Sequence, residues 1–391
     1  MTQILAVRSV FPAYRHTQAD ITRAVASLSG LEPTGTGEAG AAERSARTQR
    51  ALLERLHANA GVDTRHTVFP LAEYGALGAT PNDRYIDEAT ALGERALRAA
   101  LAESGLAPAD LDLLIVTSVT GVAVPSIDAL LMPRLGLRAD VKRLPVFGLG
   151  CVAGAAGLAR LHDYLLGWPG HAAALLAVEV CSLSLPLASV TTADLVASAL
   201  FGDGAVALVA TGTRAPRRPR RRSPGQDRVS RTLQTAPAAQ AVPRLPRLPR
   251  VVATRSEVYP DSEEALGWRL GPDGFRIVLT AELSEVVERR LSGSVTGFLA
   301  EHGLTSDDIA TWICHPGGPK VLDAAQRALK LPTDALASSR RSLAQAGNMS
   351  SASVLHILEL TVADDAPAAG SFGMMIGLGP GVSAELVLLR W

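Results

Sequence analysis

Short apolar runs of strand length alternate along the chain with longer stretches of helical period, the arrangement of an α/β protein. Residues 3–10 read as a first strand, and a helix is predicted around 18–29. Residues 30–46, rich in Gly, Ala, Thr and Glu, read as a loose loop. A helix follows from about Thr48 to Ala60, ended by Gly61. A loop over Pro70–Asp83 then precedes a long helix, about 84–104, that stops at Gly105. The apolar run Leu144–Leu149 reads as a buried strand that hands over, through Gly150-Cys151, to a helix rich in small residues.

The pattern repeats. Gly105-Leu-Ala-Pro-Ala-Asp110, running into Leu113-Leu-Ile115, is matched in spacing by Gly303-Leu-Thr-Ser-Asp-Asp308, running into Trp312-Ile313. Gly150-Cys151 has its counterpart in Gly347-Asn348, and the apolar strand Ala172–Val178 in Ser371–Ile376. Duplication explains three matches in register better than chance. The chain therefore divides into an N-terminal unit, residues 1–212, and a C-terminal unit, residues 251–391. Between them, 213–250 is rich in Arg and Pro without apolar periodicity and reads as a disordered basic insert.

Composition narrows the function classes. The 391 residues are 47% apolar and 19% charged with a formal net charge of zero, which argues against nucleic acid as the main partner. Three cysteines form no disulfide framework and fit a reducing cytoplasm. The N-terminus lacks a signal-peptide pattern, and no apolar run reaches membrane-span length, so stable membrane insertion is not expected.

Candidate chemistry lies at the strand ends. Cys151 stands where a strand meets a helix N-terminus, a setting that favours a thiolate. His315 ends the second-unit strand and is followed by Pro-Gly-Gly, a turn at the sheet edge where open α/β sheets place their ligands. Of the other histidines, His57, His66 and His302 read as exposed, and His162 and His356 as helix residues with no motif around them. Cys, His and Asn together have a coherent chemistry. A thiolate–imidazolium pair takes an acyl group from a thioester, and His315 with the neutral amide of Asn348 stabilises an enolate left by loss of CO₂. A papain-like hydrolase also uses Cys, His and Asn, but a duplicated α/β chain does not favour that fold.

Gly150-Cys151-Val-Ala-Gly, Leu200-Phe201-Gly-Asp-Gly-Ala205, His315-Pro-Gly-Gly-Pro, Gly347-Asn348 and Gly377-Leu-Gly-Pro-Gly381 occur in that order. Together they resemble a type III polyketide synthase of the chalcone synthase family, within the thiolase superfamily. The resemblance implies a duplicated five-layered αβαβα fold, a homodimer, and Cys–His–Asn catalysis on CoA thioesters with no metal or redox cofactor. It implies a gate at Phe201 and a second at Ile277. It implies a cavity lined by Cys181, Thr120 and Gly381, and a residue near Val124 that reaches into the partner subunit's cavity. The aliphatic Ile277 and the Cys181 wall are most similar to bacterial synthases of long-chain alkylpyrones or alkylresorcinols.

For CoA the resemblance points to Arg55, Gly317, Gly318 and Lys320. Leu52 and Asn59 fall where the family often has lysines, so phosphate contact is thinner, with Arg65 or the basic insert as substitutes. The starter comes either from CoA or from an acyl-carrier protein. Three other readings stand beside the first. They are a tetrahydroxynaphthalene-type synthase using malonyl-CoA only, a ketoacyl-ACP synthase III that stops after one condensation, and a non-catalytic scaffold of the same fold.

Overall fold

Two turns of one design feed the two parts of the main sheet. The backbone N–H of Ala107 donates to Asp110 Oδ2 at 2.8 Å, and that of Thr305 donates to Asp308 Oδ2 at 2.8 Å. Each carboxylate closes a single 3₁₀ turn that leads into a buried strand. The computed structural model describes residues 1–31, 41–76, 81–184, 191–213, 248–271, 274–280, 282–364 and 366–391. Most of the basic stretch read as disordered, 214–247, lies outside the described residues.

Strands run over Thr2–Val10 (β1), Tyr14–Thr17 (β2), Thr64–Thr67 (β3), Leu113–Thr117 (β4), Lys142–Val146 (β5), Ala172–Val180 (β6) and Asp203–Thr211 (β7). They continue with Arg250–Val258 (β8), Leu266–Gly271 (β9), Gly274–Leu279 (β10), Ile309–Cys314 (β11), Phe372–Gly379 (β12) and Ser383–Arg390 (β13). Helices cover Gln18–Leu28 (α1), Ala41–Ala58 (α2), Pro81–Ser104 (α3), Ile127–Leu135 (α4) and Ala153–Gly167 (α5). The remaining helices are Thr192–Leu200 (α6), Glu282–Glu301 (α7), Pro319–Ala328 (α8), Ala337–Ala346 (α9) and Ala352–Asp364 (α10).

Nine strands form one sheet in the order β11-β12-β13-β8-β1-β7-β6-β4-β5. From one side, β4 runs parallel to β6, β6 antiparallel to β7, and β7 antiparallel to β1. From the other, β11 runs parallel to β12, β12 antiparallel to β13, and β13 antiparallel to β8. The two series meet where β1 and β8 share only the pairs Thr2–Val251 and Gln3–Arg250.

The period-2 alternation of each strand serves two cores. Leu114 and Val116 of β4 pack outward with α3 and α4, while Ile115 packs inward among Leu158, Leu175 and Val354. On the other side, Trp312 and Cys314 of β11 face α7 and α8, and Ile313 faces the inner core. Helices α5 and α10 fill the middle layer against strands of both series. The layers are thus helix, strand, helix, strand, helix.

Close approach in the middle layer requires glycine. A Cβ on Gly154 would lie 2.1 Å from the carbonyl oxygen of Ser351, and one on Gly157 would lie 2.6 Å from Leu175 Cδ1.

Three local expectations are corrected. Helix α2 starts at Ala41, before the expected Thr48, and the Glu43–Arg47 pair supports the added turns with an i,i+4 contact. The stretch read as a loop over 70–83 contains a 3₁₀ turn, Leu71–Ala76, and α3 begins within it at Pro81. The apolar run before Cys151 is not a buried strand. β5 is the sheet's edge, and Leu144, Phe147 and Leu149 are 40%, 55% and 41% exposed.

Gly154→Ala is expected to destabilise the fold by about 1–3 kcal/mol, because backbone rather than a movable side chain opposes the new methyl. Urea denaturation checks this. An unchanged midpoint would contradict the stated packing.

Candidate active site

Cys151 sits in a single 3₁₀ turn, Gly150–Val152, that runs directly into α5. Gly150 takes φ +56°, and a Cβ there would lie 2.6 Å from Pro380 Cγ. A Cβ on Gly379 would lie 2.7 Å from that of Val152. The 377–380 glycines therefore let the end of β12 press against the cysteine turn. Cys151 is 7% exposed, and its Sγ lies 3.5 Å from Ser350 Oγ.

Asn348 reaches the same place from the other series. Gly347, at φ +69°, brings the chain so close to Leu200 that a Cβ would lie 2.7 Å from its carbonyl oxygen. Asn348 N–H donates to Leu200 O at 2.8 Å, and Gly202 N–H donates to Asn348 O at 3.1 Å. These bonds make a one-residue parallel bridge between Phe201 and Asn348. Ser350 N–H donates to Asn348 Oδ1 at 2.9 Å. With its oxygen engaged, the side-chain amide is oriented to offer its NH₂.

His315 follows β11, and its N–H donates to Ile376 O at 2.9 Å. Ile376 directly precedes the 377–380 stretch that packs on the cysteine turn, so the three candidate residues stand on adjoining segments. His315 is 2% exposed, and neither ring nitrogen has a partner among the described residues.

Cys181, Phe201 and Ile277 form one small apolar cluster with Ala197. Cys181 opens the 3₁₀ turn after β6, Phe201 caps α6, and Ile277 lies on the β9–β10 hairpin. Thr120 is buried, accepting from Val180 N–H at 2.9 Å and donating to Glu179 Oε2 at 3.1 Å. Val124 is 93% exposed on the loop before α4. Gly381 takes φ +65° in the turn before β13 with open space beside it, and its N–H donates to Leu266 O at 2.9 Å.

Residues 48–213 match the N-terminal domain of chalcone and stilbene synthases, and residues 250–391 match the C-terminal domain. The chain is 50% identical to a 1,3,6,8-tetrahydroxynaphthalene synthase of Streptomyces peucetius, covering 100% of this chain and 93% of that protein. It belongs to the chalcone and stilbene synthase family. A second relative of this type III polyketide synthase is an alpha-pyrone synthesis polyketide synthase-like protein of Mycobacterium tuberculosis, 28% identical over 93% of this chain and 91% of the relative. The solved 1,3,6,8-tetrahydroxynaphthalene synthase of Streptomyces coelicolor superposes with a TM-score of 0.83 at 26% identity, covering 100% of this chain and 99% of that one. The synthase accordingly has the thiolase-like fold.

Burial sets the electrostatics of the synthase's site. It pushes the Cys151 thiol up to about 12, with the Ser350 hydroxyl opposing and the Glu179 carboxyl adding to the rise. It takes His315 down to about 3. The expected lowering of the thiol by the helix start is thus outweighed for Cys151 taken alone. A thiolate and an imidazolium formed together carry no net charge, so burial disfavours such a pair less than it disfavours either ion alone.

Sequence reasoning missed Glu179. It is fully buried and accepts from Ser351 Oγ at 2.5 Å, Val119 N–H at 3.1 Å and Thr120 Oγ1. One acidic residue in the otherwise apolar run Ala172–Val180 was the available signal.

His57, read as exposed, is 2% exposed and bonded to Thr22 Oγ1 at 2.9 Å and Ser198 Oγ at 3.2 Å. It lies four residues after the buried Leu53, which puts it on the inner face of α2. His66, also read as exposed, is partly buried, and Pro12 O lies 2.9 Å from its Nδ1.

Arg65, offered as a phosphate ligand, is 2% exposed and donates to backbone carbonyls instead. Arg55 and Lys320 are exposed, and a Cβ on Gly61, just past α2, would lie 3.1 Å from Pro319 Cγ at the start of α8. Gly317 and Gly318 form the turn into α8, Gly318 at φ +149°. Among the described residues no group of His, Cys, Asp and Glu is arranged to hold a metal ion.

Glu179→Gln removes the acidic neighbour that raises both Cys151 and Cys181. The inflexion of Cys151 alkylation by iodoacetamide is expected to move to lower pH. An unchanged inflexion would contradict the coupling.

Proposed function

We propose that this type III polyketide synthase builds its product from malonyl-CoA alone, in the manner of a tetrahydroxynaphthalene synthase. The observation that carries this is the 50% identity, over the whole chain, to a protein of that name. A naphthalene skeleton has an even number of carbons, ten, so two-carbon units from malonyl-CoA can supply every one.

The chemistry assigns each residue a step. His315 takes the Cys151 proton, and the thiolate attacks a thioester carbonyl. The tetrahedral intermediate collapses, and CoA leaves as a thiol carrying the proton from His315. A second malonyl-CoA loses CO₂, and its enolate oxygen accepts from a ring N–H of His315 and from the Asn348 NH₂. The enolate carbon attacks the acyl-Cys151 carbonyl, and the Cys151 thiolate departs as the new carbon–carbon bond forms. The lengthened chain is now a CoA thioester; the Cys151 thiolate attacks its carbonyl, CoA leaves and is protonated from solvent, and the chain, back on Cys151, is extended again and finally cyclises. The fixed Asn348 oxygen and the unbonded ring of His315 support these roles.

Residues 1–212 and 251–391 are the two copies of a duplicated unit. Arg55, Lys320 and the Gly317–Gly318 turn at the start of α8 receive the CoA phosphates, since helix N-termini favour anions. Phe201, Ile277 and Cys181 wall the passage, with Thr120 and Gly381 behind it. The protein is a homodimer. Support comes from the exposed Leu144, Phe147 and Leu149 along the edge strand β5, and from the exposed Val124, which crosses into the partner subunit's cavity. A second reading, a long acyl starter delivered from CoA or a carrier protein, is favoured by the apolar Cys181–Phe201–Ile277 cluster.

Product mass spectrometry with malonyl-CoA as the sole substrate separates the two. Turnover to a malonyl-only aromatic product is expected. Activity that appears only when a fatty acyl thioester is added would overturn this reading in favour of the second.

A further inference from the structure

Helix α6 ends without the usual left-handed glycine. Its cap, Phe201, has φ −76° and ψ 142°, so the chain passes straight toward β7. The last carbonyls of the helix then need partners from elsewhere. Ala197 O accepts from Phe201 N–H at 3.0 Å. Ser198 O accepts from Arg65 Nη1 at 2.7 Å and Ala199 O from Arg65 Nη2 at 2.6 Å. Leu200 O accepts from Asn348 N–H at 2.8 Å. The cap residue's own carbonyl, Phe201 O, accepts from Arg65 Nη1 at 2.8 Å. One buried guanidinium and the backbone of one candidate catalytic residue thus complete the same helix end.

The stem of Arg65 is part of the contact. A Cβ on Gly202 would lie 3.2 Å from the Arg65 Cβ and 2.4 Å from Ala346 O. A Cβ on Gly347 would lie 3.6 Å from the Arg65 Cβ. Segments 200–202 and 346–348 therefore lie against the arginine as well as against each other. Gln18 steadies the group from the other side, accepting from Arg65 Nη2 and donating to Ala199 O at 3.0 Å.

We propose that Arg65 is a positioning residue that locks the Phe201 gate and the Asn348 amide into one rigid unit. The gate that bounds the growing chain then cannot shift without moving the group that binds the extender. This rests on the roles given above to Phe201 and Asn348. The planar fork sets its N–H groups in fixed directions that meet three carbonyls, a geometry the compact ammonium of lysine does not reproduce.

The test is Arg65→Lys, assayed for Cys151 alkylation, acyl loading, malonyl-CoA decarboxylation and product length, with Asn348→Ala in parallel. Alkylation and loading are expected to stay within about twofold of the parent, while decarboxylation falls about tenfold to about a hundredfold and products shorten through early release. Parental decarboxylation and product length in Arg65→Lys would overturn the proposal. So would an equal loss of loading and decarboxylation, which is what a merely structural arginine gives. If Arg65→Lys does not fold, Gln18→Ala takes its place, with the same split expected at smaller size and no split overturning the proposal. Parental decarboxylation in Asn348→Ala would instead overturn the assignment of Asn348 itself, whatever Arg65→Lys shows.

Discussion

Close approach of glycine backbone to neighbouring segments, with no room for a Cβ, is the constraint on which the rest of the synthase depends. Gly150 against Pro380, Gly154 against Ser351, Gly379 against Val152 and Gly347 against Leu200 each leave no room for a Cβ. All four contacts join one strand series to the other. They fix the cysteine turn, the end of β12 and the asparagine turn as neighbours, and α5 and α10 supply the apolar mass that holds them there. A fold built only from larger side chains would keep these turns a layer of atoms apart.

That closeness dries the site, and dryness sets its chemistry. Cys151, His315, Cys181 and Glu179 are all nearly inaccessible to water. Burial disfavours an isolated thiolate and an isolated imidazolium alike. On the proposed reading, charge enters this buried region only in compensated form, as a thiolate–imidazolium pair or as an enolate met by donors already in place. Asn348 suits such a pocket because it donates without bringing a charge, and Ser350 N–H holds its oxygen so that no reorientation is needed during reaction.

Much of this was legible in the residues. Strand alternation and helix stops located β4, β6, β11 and the long α3, and the paired Gly-Cys and Gly-Asn turns pointed to the site's two sides. What stayed hidden was the fate of single polar residues. Arg65 lies in a polar stretch, Asp63-Thr-Arg-His66, that looks like surface, and only the uncapped end of α6 explains its burial. Leu144 and Phe147 look like core because apolar edge strands and buried strands share one pattern. His57 could have been found, since it lies one helical turn after Leu53 on the buried face of α2. Glu179 could have been found as the lone acid in an apolar strand, though its donors come from segments distant in sequence.

The central claim is that Cys151 carries the growing chain in a site shared by both strand series. Rapidly quenched synthase given malonyl-CoA, digested and analysed by peptide mass spectrometry, tests it directly. A ladder of two-carbon ketide increments on the peptide containing Cys151, absent from those containing Cys181 and Cys314, is the predicted result. Acyl adducts on Cys181 or Cys314, or turnover with no adduct on Cys151, would contradict it.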